Sequence, residues 1–216
     1  MDPARPNDSA TEKETGRLEA FSDGVFSIAM TLLVLELKVP TLSGPVTGAW
    51  LCGQLAKQWP SYFAFTTSFF TVLIMWINHH GIFKLVRKID ALLLFTNGLL
   101  LLMVTVVPFP TALVASYLRT PAASTACAVY AGTFVIISVA YGLLLLAARR
   151  GGRLLIHGAA GEVSRRVKDC FCIGVPLYLL AALVAPWSRW LSLGICTALW
   201  VFWSVGSLER GPAFRR

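Results

Sequence analysis

Of 216 residues, 56% are apolar and only 14% are charged; a soluble domain of this length carries close to twice that charge. The composition argues against an ordinary soluble domain and for an integral membrane protein, with the lipid bilayer as its first partner. The net charge of +8 would suit a nucleic-acid binder. However, the basic residues stand in short segments between apolar runs, the distribution that orients membrane spans, so no nucleic-acid partner is expected.

Residues 1–16 are polar and lack the apolar core of a signal peptide, so they read as a disordered N-terminal tail. Residues 17–208 hold six apolar runs, several near the roughly 20 residues that cross a bilayer. The first is expected over 18–37. The second, 59–80, opens on Trp59-Pro60, since proline is tolerated in a first helical turn; the preceding AWLCGQLAK is an approach segment. The third, 91–107, should end or kink at Pro108 and Pro110. The fourth and fifth are expected over 122–148 and 170–184, and the sixth over 190–208. Between the fourth and fifth, GGRLLIHGAAGEVSRR is glycine-rich and reads as a mobile loop. Residues 209–216 form a short C-terminal tail.

Basic residues set the orientation. Lys84, Arg87 and Lys88 lie in one short connection, and Arg149, Arg150, Arg153, Arg165, Arg166 and Lys168 in another. With those of the two termini they make fifteen, against Lys38, Lys57, Arg119 and Arg189 on the opposite side. The bias places both termini in the cytoplasm, in agreement with an even number of spans in a cell (inner) membrane. Trp59, Tyr117, Trp187 and Trp190 fall near span ends, as interfacial anchors do.

The first span begins unusually, with Arg17-Leu-Glu-Ala-Phe21-Ser22-Asp23-Gly24 running into VFSIAMTLLVLEL. A carboxylate and hydroxyls in an apolar helix are costly without a partner or a water-filled path. On a helix, Ile28, Leu32 and Leu35 follow i, i+4, i+7 and share one face. Asp23 and Glu36 bracket that face, and Ser27 and Thr31 lie one turn apart beside it. An Ile/Leu stripe alone is commonly lipid-facing or packed. The acids at its two ends favour a helix that lines a polar path. Asp23 needs a partner, and Trp76, His79 and Asn97 lie at a similar depth: an indole or amide donates to a carboxylate, and histidine donates or carries charge. Arg17 either snorkels to headgroups or anchors this network from below.

Arg-x-x-x-Phe-Ser-Asp followed by an apolar run resembles the first helix of the transmembrane protein 175 family of potassium channels. Weaker matches, Trp76-Ile-Asn78-His79 and the asparagine in LLLFTNGLLLL, follow in the same order. The resemblance implies an all-α integral membrane protein of six transmembrane helices per subunit, with the first helix lining a central pore in a homotetramer, since single-unit prokaryotic members are tetramers. It implies potassium ions as the conducted species. It places the pore constriction at Ile28, with Leu32 and Leu35 on the next turns, and packs the Phe21-Ser22-Asp23 element against polar residues of the neighbouring helices.

A carbonyl-lined filter needs a sequence such as Thr-Val-Gly-Tyr-Gly, which this chain lacks. An apolar ring works instead by stripping water, and potassium holds its water less tightly than sodium. The rival readings are a proton-coupled transporter, with Asp23, Glu36, His79 and His80 as a relay, a proton-permeable channel, and a passive scaffold. An enzyme is disfavoured. His-Glu-x-x-His and Gly-x-Ser-x-Gly are absent, and the consecutive His79 and His80 cannot share one metal from one helix face. The cysteines have no zinc spacing. No cofactor or metal is expected.

Overall fold

A computed structural model describes residues 6–42 and 47–209. The described chain is helical apart from its connections. Helix α1 (Pro6–Leu32) passes into a 3-10 turn, Leu33–Glu36. A short helix α2 (Gly48–Lys57) precedes α3 (Trp59–Phe83). Helices α4 (Ala91–Val106) and α5 (Pro108–Tyr117) follow almost in line, then α6 (Ala123–Arg149). Helix α7 (Ala160–Asp169) continues through a π-helical segment, Cys170–Gly174, into α8 (Val175–Val184), and α9 (Arg189–Glu209) closes the described chain. Five stretches are long and apolar enough to cross a membrane: 14–36, 59–83, 91–117, 123–149 and 160–184. Helix α9 is a further helix of 21 residues.

Several boundaries differ from expectation. Helix α1 starts at Pro6, so residues 6–16, expected as a disordered tail, form its first turns; residues 1–5 and the tail from 210 lie outside the described residues. The third span does not stop at Val107. Pro108 takes the first position of α5, where its missing N–H is not needed, and the helical path runs on to Tyr117. The connection after α6 is not a free loop. Leu155 pairs with Val86 as an isolated bridge. The backbone N–H groups of Arg87 and Lys88 donate to Leu154 O at 2.7 and 3.2 Å, and Ile156 N–H donates to Leu85 O at 2.9 Å. Leu154 and Leu155 are buried, so two apolar side chains hold the segment down. Gly152, at φ +64°, turns the chain out of α6 in a conformation that side chains resist.

Helix α6 is the central post, with buried residues on most of its circumference, among them Tyr130, Phe134, Ile137 and Leu144. Tyr130 is tied to its neighbours by a buried cluster in which Ser68 Oγ meets Thr111 Oγ1 at 2.7 Å and Tyr130 Oη at 3.0 Å. That cluster joins α3, α5 and α6. The hydrogen-bonded connections after α3 and α6 place the two most basic segments at one end of the bundle. Helix α1 runs antiparallel to α3, with Glu19 beside His80. Helix α9 runs parallel to α3, since Trp190 stacks on Trp59 and Trp200 on Phe70. The N-terminal end of α1 and the C-terminal end of α9 therefore also lie at the basic end.

Candidate functional site

Helix α1 has two faces. Ser22, Phe26, Ala29 and Leu33, at helical spacing, are at most 1% exposed and pack against the bundle. The opposite side is uncovered. Phe21 is 64% exposed, Ile28 59%, Leu32 42% and Leu35 65%, and Gly24, Ser27 and Thr31 are exposed among them. Leu35 stays in the stripe as the helical count expects, although the α-helix ends before it. The 3-10 turn has three residues per turn, which sets Leu35 directly above Leu32. Thr31 turns its hydroxyl back to Ile28 O at 2.9 Å. Glu36, at the end of that turn, is part-exposed.

Polar groups hold the packed face. His79 Nε2 meets Asn97 Oδ1 at 2.8 Å, Asn97 Nδ2 donates to Ser22 Oγ at 3.0 Å, and Ser22 Oγ–H donates to Leu18 O at 2.9 Å. Read in order, the donors all point one way, which assigns the His79 proton to Nε2. Ser22, His79 and Asn97 are at most 1% exposed. His79 Nδ1 meets no hydrogen-bond partner among the described residues; its ring lies against Phe83 and Phe26, with centroids 4.5 and 5.2 Å away.

Asp23 is not part of this chain of bonds. It accepts from Trp76 Nε1 at 2.8 Å. The structure thus brings Trp76, His79 and Asn97 to the motif as two separate contacts, with Ser22 rather than Asp23 receiving the asparagine. Glu19 and His80 form a third contact, at 2.6 Å between Oε1 and Nδ1, with His80 stacked on Trp76. Sequence reasoning named His80 only as a member of a possible proton relay; its i, i+1 position beside His79 turns it toward another α1 residue. The ligand-capable atoms of Glu19, Asp23 and His80 lie within 4.8 Å of one another, and the Glu19–His80 contact and the Trp76 indole already engage all three residues. Arg17 is exposed.

This arrangement fixes rotation. Three polar contacts and Phe26 clamp one side of α1, and the unpaired side presents a repeated small-polar and apolar pattern. The exposed face of α4 contrasts with it, being dominated by large apolar side chains such as Leu92, Leu94, Phe95 and Leu102, as a lipid-facing surface is.

The sequence profile of the family described as Endosomal/lysosomal potassium channel TMEM175 matches residues 17–108, a stretch that contains every residue of the clamp and the stripe. A potassium channel of Chamaesiphon minutus is 46% identical over 196 residues, 91% of this chain and 96% of that protein. A potassium channel of Streptomyces collinus is 44% identical over 162 residues, 74% of this chain and 77% of that one. The crystal structure of a lysosomal potassium-selective channel TMEM175 homolog from Chamaesiphon minutus superposes with a TM-score of 0.81 at 46% identity, covering 90% of this chain and 98% of that chain.

Proposed function

The chain belongs to the TMEM175 family, and on that premise we propose that it is a potassium-preferring cation channel, conducting passively through a pore lined by α1. The observation that carries this reading is the uncovered stripe on a helix whose other face is locked. A single copy leaves Ile28, Leu32 and Leu35 without a partner. Four copies around an axis, the number the family resemblance implies, turn each into a ring.

Ile28 forms the first constriction, and Leu32 and Leu35 the next two turns outward. Ser27 and Thr31 supply the small polar surface between the rings, and Glu36 a cation-attracting charge at the outer mouth. An apolar ring binds no ion. It narrows the path until an ion sheds part of its water, a cost lower for potassium than for sodium. Selectivity of this kind depends on ring width, hence on the rotation of α1. The role of Ser22, Asp23, Trp76, His79 and Asn97 is to hold that rotation, with Phe26 packed behind it. The basic end of the bundle faces the cytoplasm of the cell (inner) membrane, carrying both termini with it.

Passive conduction is tested with the protein in vesicles under a potassium gradient and no proton or sodium gradient. A channel gives a potassium diffusion potential of the Nernst sign, carried by a passive flux that follows the potential. A flux that appears only with a proton gradient would instead identify a coupled transporter.

A further inference from the structure

Away from α1, the helices α3, α6, α8 and α9 and the π-helical segment line a cavity that is open on one side. Its wall is mostly apolar and aromatic, including Ile137, Tyr178 and Trp200. The Trp200 indole Nε1 is buried with no hydrogen-bond partner among the described residues. The cavity also has one cation. Arg166 reaches it from α7 and is 13% exposed.

Arg166 uses only part of its fork. Its Nε donates to Glu162 Oε1 at 2.9 Å, while Glu162 Oε2 accepts from Arg165 at 2.8 Å. One carboxylate thus faces two guanidinium groups, which leaves a net positive charge. The terminal nitrogens of Arg166 lie against Gly81, where a Cβ would sit 3.5 and 3.7 Å from them. They make no hydrogen bond or ion pair beyond the Nε contact among the described residues. Asn78, one turn before Gly81, lines the same cavity.

The match is to an amphiphile with an anionic head and an apolar body. We propose that the cavity takes one acyl chain of an anionic phospholipid, with the phosphate on the free side of the Arg166 fork. Guanidinium recognises phosphate through paired N–H donors. Basic pockets between membrane helices on the cytoplasmic side hold acidic headgroups in this way. The assignment to the inner leaflet rests on the orientation proposed above; the binding itself does not.

The test uses the full chain in vesicles that carry brominated lipid in both leaflets, so that orientation has no influence. Bromine quenches tryptophan on contact, and subtracting the Trp200→Phe signal isolates Trp200. At equal bromine content, dibromo-phosphatidylglycerol should quench Trp200 at least twofold more than dibromo-phosphatidylcholine. Arg166→Gln should abolish that excess, and Arg166→Lys should retain part of it. Ile137→Phe, which fills the cavity without touching charge, should reduce quenching by both lipids and serves if Arg166→Gln fails to assemble. Equal quenching by the two lipids, or an excess that survives Arg166→Gln, would overturn the proposal. Quenching by dibromostearate but not by the phosphatidylglycerol would overturn it in favour of a free fatty acid.

Discussion

Replacing Ser22 by alanine removes one hydroxyl and strands the Asn97 amide N–H, the group that also orients the carbonyl facing His79. Interhelical hydrogen bonds in membranes average about 0.6 kcal/mol, whereas a buried polar group left unpaired costs about 1–3 kcal/mol. Full burial of all three residues puts Ser22→Ala in the second class, so thermal unfolding in detergent should register a loss of about 2 kcal/mol. Glu19→Gln is the contrasting case. The Glu19 and His80 side chains are about a quarter exposed, and glutamine keeps a carbonyl oxygen and gains a donor for the imidazole, so the loss for Glu19→Gln in the same unfolding measurement should be smaller than that of Ser22→Ala. The membership of this polar cluster was legible in the sequence, because polar residues in apolar spans need partners. Its wiring was not. The choice between Ser22 and Asp23 as acceptor depends on helix rotation by fractions of a turn, which spacing does not resolve. Phe21 was read as a packing residue of the motif, yet it lies on the exposed stripe, seven residues before Ile28, and that spacing was the available signal.

At the scale of elements, the close approach of α6 to the π-helical segment depends on Gly142. A Cβ there would meet the Phe171 ring at 2.5 Å, a distance that forces something to move. Overpacking of this kind costs about 1–3 kcal/mol. Gly142→Ala should therefore lower thermal stability by that order, and Phe171→Leu added to it should recover part of the loss. If the double variant is no better than the single one, the contact is not the cause. The six apolar runs were readable from length and hydropathy alone. The break at Pro108 was readable as an end or a kink, but not which of the two, because a proline at the start of a helix and a proline that ends one look the same in sequence. Pro108 opens α5 instead of closing the span. The connection after α6 misled through its glycines. Leu154, Leu155 and Ile156 form a short apolar run inside it, and the pairing of that run with the connection after α3 was the signal that outweighed them.

For the whole molecule, the uncovered stripe of α1 sets the largest demand. Phe21, Ile28, Leu32 and Leu35 expose apolar surface next to small polar groups, a surface suited neither to lipid throughout nor to water throughout. A ring of copies resolves this by giving each stripe its symmetry mates. Native mass spectrometry of the detergent-extracted channel should give four chains, and a monomer would leave α1 without the partners the pore needs. In the proposed ring the clamp and the pore would be one device, since what holds α1 against α3 and α4 would also set the width between opposing Ile28 side chains. The most direct measurement is the reversal potential in a planar bilayer, with potassium on one side and sodium on the other, for the native channel and for Ile28→Asn. The native current should reverse toward the potassium equilibrium, and the Ile28→Asn current should shift toward zero as a polar ring lowers the dehydration cost for sodium. A potassium-selective current whose reversal is the same in both proteins would contradict Ile28 as the constriction and α1 as the helix that sets selectivity.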